Sequence, residues 1–165
     1  MNWKAILKKN GKGSLVKMGA AGILALGLVK IFAPEAVQAP DPDKPFSMKT
    51  CMEYIPEDVD GLKVIEGSRS KASIIHEMVP ITCKARAIFE RMKEEGAAIK
   101  SGRMIVRVVV EYNGEVISVR IEASDISYRP LRNRVIDLIA DSDFNPWHRE
   151  DTDTEFLYPI HLGRR

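Results

Sequence analysis

The stretch that decides the fold is "EYNGEVISVRIEASD", residues 111–125. It contains the dipeptide Asn113-Gly114 between two runs in which apolar and polar residues alternate. Asn-Gly accepts the positive φ angles that a two-residue type I′ turn requires. The pattern therefore predicts a β-hairpin whose antiparallel strands are residues 102–112 and 115–124.

The predicted loop length also fixes the register of the hairpin, because it places Tyr112 opposite Glu115 and sets every later pair. One face of the hairpin mixes polar and apolar residues and tolerates water. On that face Arg107 lies opposite Arg120, and we expect the diagonal Glu122 to relieve their repulsion. The other face is apolar throughout and is expected to be core: Met104, Val106, Val108, Val110, Ile117, Val119, Ile121 and Ala123.

One helix is predicted before the hairpin in the sequence and a second helix after it. Residues 81–96 follow Pro80 and end at a glycine, and residues 128–140 have Ser127 available as an N-cap. Residues 46–80 are compatible with short strands or with helical turns. The apolar stripe of the first helix, at i, i+3, i+4 and i+7, is Ala85, Ile88, Phe89 and Met92, and the second helix places Leu131, Val135, Leu138 and Ile139 on one face.

The chain closes with "TEFLYPIHL", residues 154–162, which alternates as a third strand with Phe156, Tyr158, Ile160 and Leu162 on one side. Proline has no N–H to donate to a neighbouring strand, so Pro159 favours a position at the edge of the sheet.

The N-terminus differs in charge and hydropathy from the rest of the chain. Residues 1–33 hold six lysines and no acid, and 15–33 are apolar except for Lys17 and Lys30 near their ends. As a helix of about 1.5 Å per residue, this segment matches the thickness of a bilayer. The charge pattern predicts a cytoplasmic tail (1–14) and a retained single transmembrane helix (15–33). A cleaved signal peptide is the alternative, since "VQA" at 37–39 resembles a peptidase site.

Beyond the membrane segment the sequence predicts a short, extended, proline-rich linker at 34–50 and a folded domain at 83–165. Between them, the sequence does not decide the secondary structure of residues 51–82, the N-terminal part of the periplasmic region. Both cysteines lie on the exported side, where an even count usually indicates a bridge. We therefore expect a Cys51–Cys83 disulfide, with two unpaired thiols as the alternative.

Enzyme and nucleic-acid functions have little support in the residues. The histidines His76, His148 and His161 are scattered, and no nucleophile, metal or phosphate-loop motif is present. The positive charge is concentrated before residue 34, which argues against a nucleic-acid-binding domain. The prediction is a protein without catalytic, cofactor or metal sites. The competing class is a periplasmic hydrolase or metalloenzyme that uses His148, His161 and the acidic loop at 149–155.

The succession of "SGRMIVRVVVEYNGEVISVRIEASD", a helix, "FNPW" and "FLYPIHL" resembles the TonB C-terminal domain family, in particular its AgmX-type form in envelope proteins. The resemblance covers about residues 83–162. It implies an α+β fold: a small two-layer domain in which a three-stranded antiparallel sheet packs against two helices. The predicted anchor and linker agree with this organisation.

The resemblance also implies a function. In this family the last strand accepts an extended peptide, so the chain would be a periplasmic protein-binding module of a cell-envelope complex, anchored in the inner membrane. The alternative is a homodimer through the same strand, as a structural subunit of a motility, transport or secretion machine. Leu157 and His161 would contribute selectivity. The partner-binding residues carried over are Thr154, Glu155, Phe156, Leu157, Tyr158, Ile160, His161 and Leu162.

Overall fold

The computed structural model of the protein describes residues 38–39, 41, 44–147 and 152–163. The elements follow one another as α1 (Met48–Glu53), β1 (Lys63–Glu66), α2 (Lys71–Glu94), β2 (Gly102–Val110), β3 (Val116–Ser124), α3 (Arg129–Ala140) and β4 (Thr154–Leu162).

The four strands form one antiparallel sheet in the order β1-β4-β2-β3. The predicted α+β class is confirmed, but the described part has four strands and three helices instead of three and two. The additional elements, α1 and β1, come from the region before Cys83 whose structure the sequence left open. Because α2 begins at Lys71, the folded region also begins well before Cys83.

The predicted hairpin is present, but its loop has three residues and not two. The N–H of Gly114 donates to the carbonyl of Glu111 at 3.0 Å, and the N–H of Glu111 donates to the carbonyl of Glu115 at 2.8 Å. Gly114 has a φ of 98°. A three-residue loop whose last residue is left-handed is the next most common hairpin connection after the two-residue turns.

The longer loop shifts the pairing next to it by one residue, so that Val110 faces Val116. A bulge at Ile117 then restores the predicted register in the middle, where Val108 faces Val119. The prediction of Ile117 as core is therefore wrong, and its side chain is 53% exposed. A second bulge, at Glu122, moves Met104 from Ala123 to Ser124.

The first predicted helix is longer than expected, because α2 starts with the N-cap Ser70 and continues through Pro80. A proline inside a helix costs about 3 kcal/mol. Four apolar side chains next to it, Ile75, Met78, Val79 and Ile81, are buried, and their packing offsets this cost. The N-cap position of the later helix, α3, is Tyr128, whose side chain makes no capping hydrogen bond, so the prediction of Ser127 as N-cap is wrong.

The core lies between one face of the sheet and the helices α2 and α3. Strands β2 and β4 are paired neighbours in the sheet, with Met104 opposite Ile160, Val106 opposite Tyr158 and Val108 opposite Phe156. The predicted stripes supply the helical side of the core. These buried residues include Ala85, Phe89, Leu131, Val135 and Ile139.

Cys51 of α1 and Cys83 of α2 form the predicted disulfide, with a Cα–Cα distance of 5.8 Å. This bridge fixes the short helix α1 against α2. The predicted transmembrane helix at 15–33 lies outside the described residues. Within the described residues, no helix has the length and hydropathy needed to span a bilayer.

Candidate partner-binding site

Strand β4 lies inside the sheet, although the sequence predicted it to be a partner-binding edge strand. It pairs with β2 along its whole length, from Thr154 opposite Val110 to Leu162 opposite Gly102. On its other side β1 pairs with Glu155, Phe156 and Leu157. The prediction of an edge strand is therefore wrong for these three residues. Pro159 lies two positions beyond the end of the β1 pairing, so its missing N–H interrupts no pair with β1.

The side chains of β4 alternate between buried and half-buried as predicted, except that Pro159 is also buried. Phe156, Tyr158, Ile160 and Leu162 are buried in the core together with Thr154, while Glu155, Leu157 and His161 are half-buried. Burial raises the pKa of the Tyr158 hydroxyl. Partner binding by these residues stays a prediction.

The long unpaired edge of the sheet is β3, the strand at the opposite end from β1. It runs for nine residues and pairs only with β2 among the described strands. Natural edge strands are usually protected by proline, lysine or bulges. β3 has neither proline nor lysine, and between its two bulges residues 118–121 keep regular pairing with β2. Its outer backbone groups in that stretch therefore have the geometry that strand addition needs.

An ion-pair network crosses the sheet face that is turned away from the helices. Arg107 of β2 donates from Nε to Glu122 of β3 at 2.9 Å and from Nη1 to Glu155 of β4 at 2.6 Å. The first of these bonds confirms the prediction that Glu122 relieves the pair of Arg107 and Arg120. The hydrogen bonds to Glu122 and Glu155 raise the pKa of Arg107, and the bond from Arg107 lowers the pKa of Glu122.

At the hairpin end of the sheet, the "FNPW" loop docks onto the turn. The N–H of Phe144 donates to the carbonyl of Gly114 at 2.9 Å, and the N–H of Trp147 donates to the carbonyl of Tyr112 at 2.8 Å. Next to these contacts, an open cleft of about 490 Å³ is lined by Tyr112, Asn113, Pro146 and Trp147. The loop and the turn thus form a single surface feature with two aromatic side chains.

Behind this loop lies Arg69, whose side chain is only 2% exposed. Its guanidinium stacks against the rings of Phe144 and Trp147, with its central carbon 5.8 and 5.4 Å from their centroids. Desolvation lowers the pKa of Arg69, and the nearby charge of Glu77 partly offsets this effect. The sequence does not predict this cluster, because Arg69 lies in the short connection "GSRS", where no periodicity distinguishes a buried arginine from an exposed one.

Of the three histidines, the structure describes two, and they lie on different elements. His76 is exposed on α2 and His161 lies on β4, while His148 is outside the described residues. In the described ranges no three histidine, cysteine or acidic side chains are grouped as metal ligands would be.

Similarity to other proteins does not identify the chain. Comparison with models of known families, with curated proteins and with solved structures finds no match. The functional proposals therefore rest on the residues and on their geometry.

Proposed function

We propose that this chain is a membrane-anchored envelope protein whose C-terminal domain binds a partner protein by β-strand addition. The N-terminal charge and hydropathy pattern supports the anchor, and the resemblance to TonB-like domains supports protein binding. The observation that carries the proposal is the nine-residue edge of β3, whose outer side no described strand covers.

Strand addition at β3 requires no rearrangement of the sheet, whereas strand addition at residues 155–157 of β4 does. A partner strand alongside Glu155, Phe156 and Leu157 would have to replace β1. β1 is short and largely exposed, and its register is irregular after Val64. Replacement of β1 is the route by which a partner strand would reach these three residues, and the geometry favours β3 over it.

Self-association is the second candidate, and the spacing of two charges on β3 favours it. If β3 pairs antiparallel with the same strand of a second copy, Arg120 can lie opposite the Glu122 of that copy on both sides of the two-fold axis. Ile121 then faces its own counterpart. Such a dimer would serve as a structural unit of an envelope assembly.

Site-specific photocrosslinking in cells tests where the partner binds. A photoreactive residue is introduced at Ser118 or Arg120 of β3, at Leu157 of β4, or at Asn133, an exposed position on α3 that serves as the control. We expect adducts from the two β3 positions and none from Asn133. A product of twice the chain mass indicates the homodimer, and a heavier or lighter one indicates a different partner.

The outcomes are distinct for the two strands. Adducts from Leu157 without adducts from β3 would assign binding to β4 and overturn the β3 site. The absence of adducts at Ser118, Arg120 and Leu157, in cells where the protein is present and folded, would refute strand addition altogether.

A further inference from the structure

The buried guanidinium of Arg69 has two buried nitrogen atoms without a hydrogen-bond partner, and the proposed function does not explain them. It lies between β1 and α2, under the rings of Phe144 and Trp147. Its Nη1 donates to the carbonyl oxygen of Asn145 at 3.0 Å. Its Nε and Nη2 are buried and have no hydrogen-bond partner among the residues that the structure describes.

Two unsatisfied charged donors inside a protein are unusual. More than nine-tenths of buried polar groups have a hydrogen-bond partner, and burying a charge without one is costly. The nearest opposite charge does not fill this role, because the Oε1 atom of Glu77 accepts from the backbone N–H and the side-chain amide of Asn145. Glu77 therefore holds the loop in place, and the free side of the guanidinium still lacks an acceptor.

We propose that Arg69 is a binding site for a single carboxylate group, such as an acidic side chain or a C-terminus of a partner protein. The Nε and Nη2 atoms form one side of the planar guanidinium, and two parallel N–H donors match the two oxygens of a carboxylate. One positive charge next to the negative Glu77 suits a monovalent anion. A phosphate, with about two negative charges, would lack the additional positive charge that it needs.

The carboxylate reaches Arg69 from the cleft at the hairpin turn. Trp147 lines that cleft and also stacks on Arg69, so its indole lies between the two. The indole Nε1 donates to the Oγ of Ser68 at 3.2 Å, a contact at the exposed surface. Rotation of Trp147 away from Ser68 opens the guanidinium to the cleft, and Tyr112 and Pro146 then offer apolar surface to the rest of the ligand.

NMR of the ¹⁵N-labelled full-length chain tests this site, with acetate as the probe. The Nε–H resonance of Arg69 is assigned by its loss in Arg69→Lys and is followed during titration with sodium acetate at constant ionic strength. We expect a saturable shift with acetate, no shift with chloride and a weaker response to sulfate. Thermal unfolding provides a second measurement, because acetate at about ten times its Kd should raise the midpoint by about 3–6 °C.

Matched variants separate a specific site from a general salt effect. Arg69→Met should fold and lose the acetate effect, and Arg134→Met, at an exposed arginine of α3, should keep it. An Arg69 resonance that does not move, or an equal rise in midpoint in Arg69→Met, would overturn the site. A response to sulfate as strong as that to acetate would overturn the carboxylate assignment. The inference does not depend on strand addition at β3, because no crosslinking outcome changes it.

Discussion

Replacement of Gly114 by alanine should destabilise the domain more than the same replacement at Gly96, an exposed glycine with a similar backbone conformation. A left-handed alanine costs about 1–2 kcal/mol. In addition, a Cβ at this position would overlap the backbone carbonyl of Phe144, so the loop must move away from the turn. The two hydrogen bonds that this loop donates to the carbonyls of Gly114 and Tyr112 contribute about 1 kcal/mol each. We expect Gly114→Ala to lower the free energy of unfolding by about 3–4 kcal/mol.

Gly96 provides the matched control. Its φ of 91° is close to the 98° of Gly114, but a Cβ at Gly96 would meet no atom within 4 Å. Gly96→Ala should therefore cost only the conformational part, about 1–2 kcal/mol. Urea unfolding of both variants, with unchanged m-values, measures the difference. If the two variants lose equal stability, the loop does not depend on the turn and the reasoning is refuted.

Three further predictions concern the disulfide, the ion pairs and the topology. Replacing Cys51 and Cys83 by serine should lower the free energy of unfolding by about 4 kcal/mol in the chain-entropy model, given their sequence separation of 32; equal urea midpoints would contradict this. The lowered pKa of Glu122 should be visible by NMR and should return to its usual range in Arg107→Met. Because its folded-state pKa is depressed, Glu122 should stabilise the fold at pH values above its unfolded-state pKa. This contribution should be lost as the pH falls through the folded-state pKa. The free energy of unfolding of Glu122→Gln should therefore change less than that of the unmodified protein across the same pH range. A reporter fused after Phe46 should be active only outside the cytoplasm, and activity inside would refute the anchor orientation.

The parts of the fold that the sequence predicted are those with long periodic patterns. Strands β2 and β4 alternate over nine residues each, and the stripe of α3 falls on one face, so burial of apolar area determines their placement. The four residues of β1 are too few for a period, and the position of β1 beside β4 depends on tertiary pairing alone. This is why the edge of the sheet was assigned to the wrong strand.

The predictions of local details were wrong for other reasons. Asn-Gly permits more than one hairpin loop, and the choice of three residues here accompanies the docking of the "FNPW" loop on Gly114. A proline normally precedes a helix or ends one, but the packing of the buried residues next to Pro80 stabilises it inside α2. The candidate carboxylate site was not predictable, because the burial of Arg69 results from contacts with residues about 75 positions away.

The central position of β4 has a consequence for how the protein is made. Strand β4, the latest of the described strands in the sequence, lies between β1 and the hairpin, so β1 has no neighbour in the sheet until residues 154–162 have been synthesised. A chain that stops before Thr154 would leave one backbone edge of β2 and both edges of β1 unpaired. The sheet therefore cannot form as hairpins in the order of synthesis, and the contacts that close it join residues about 90 positions apart, an arrangement that slows folding.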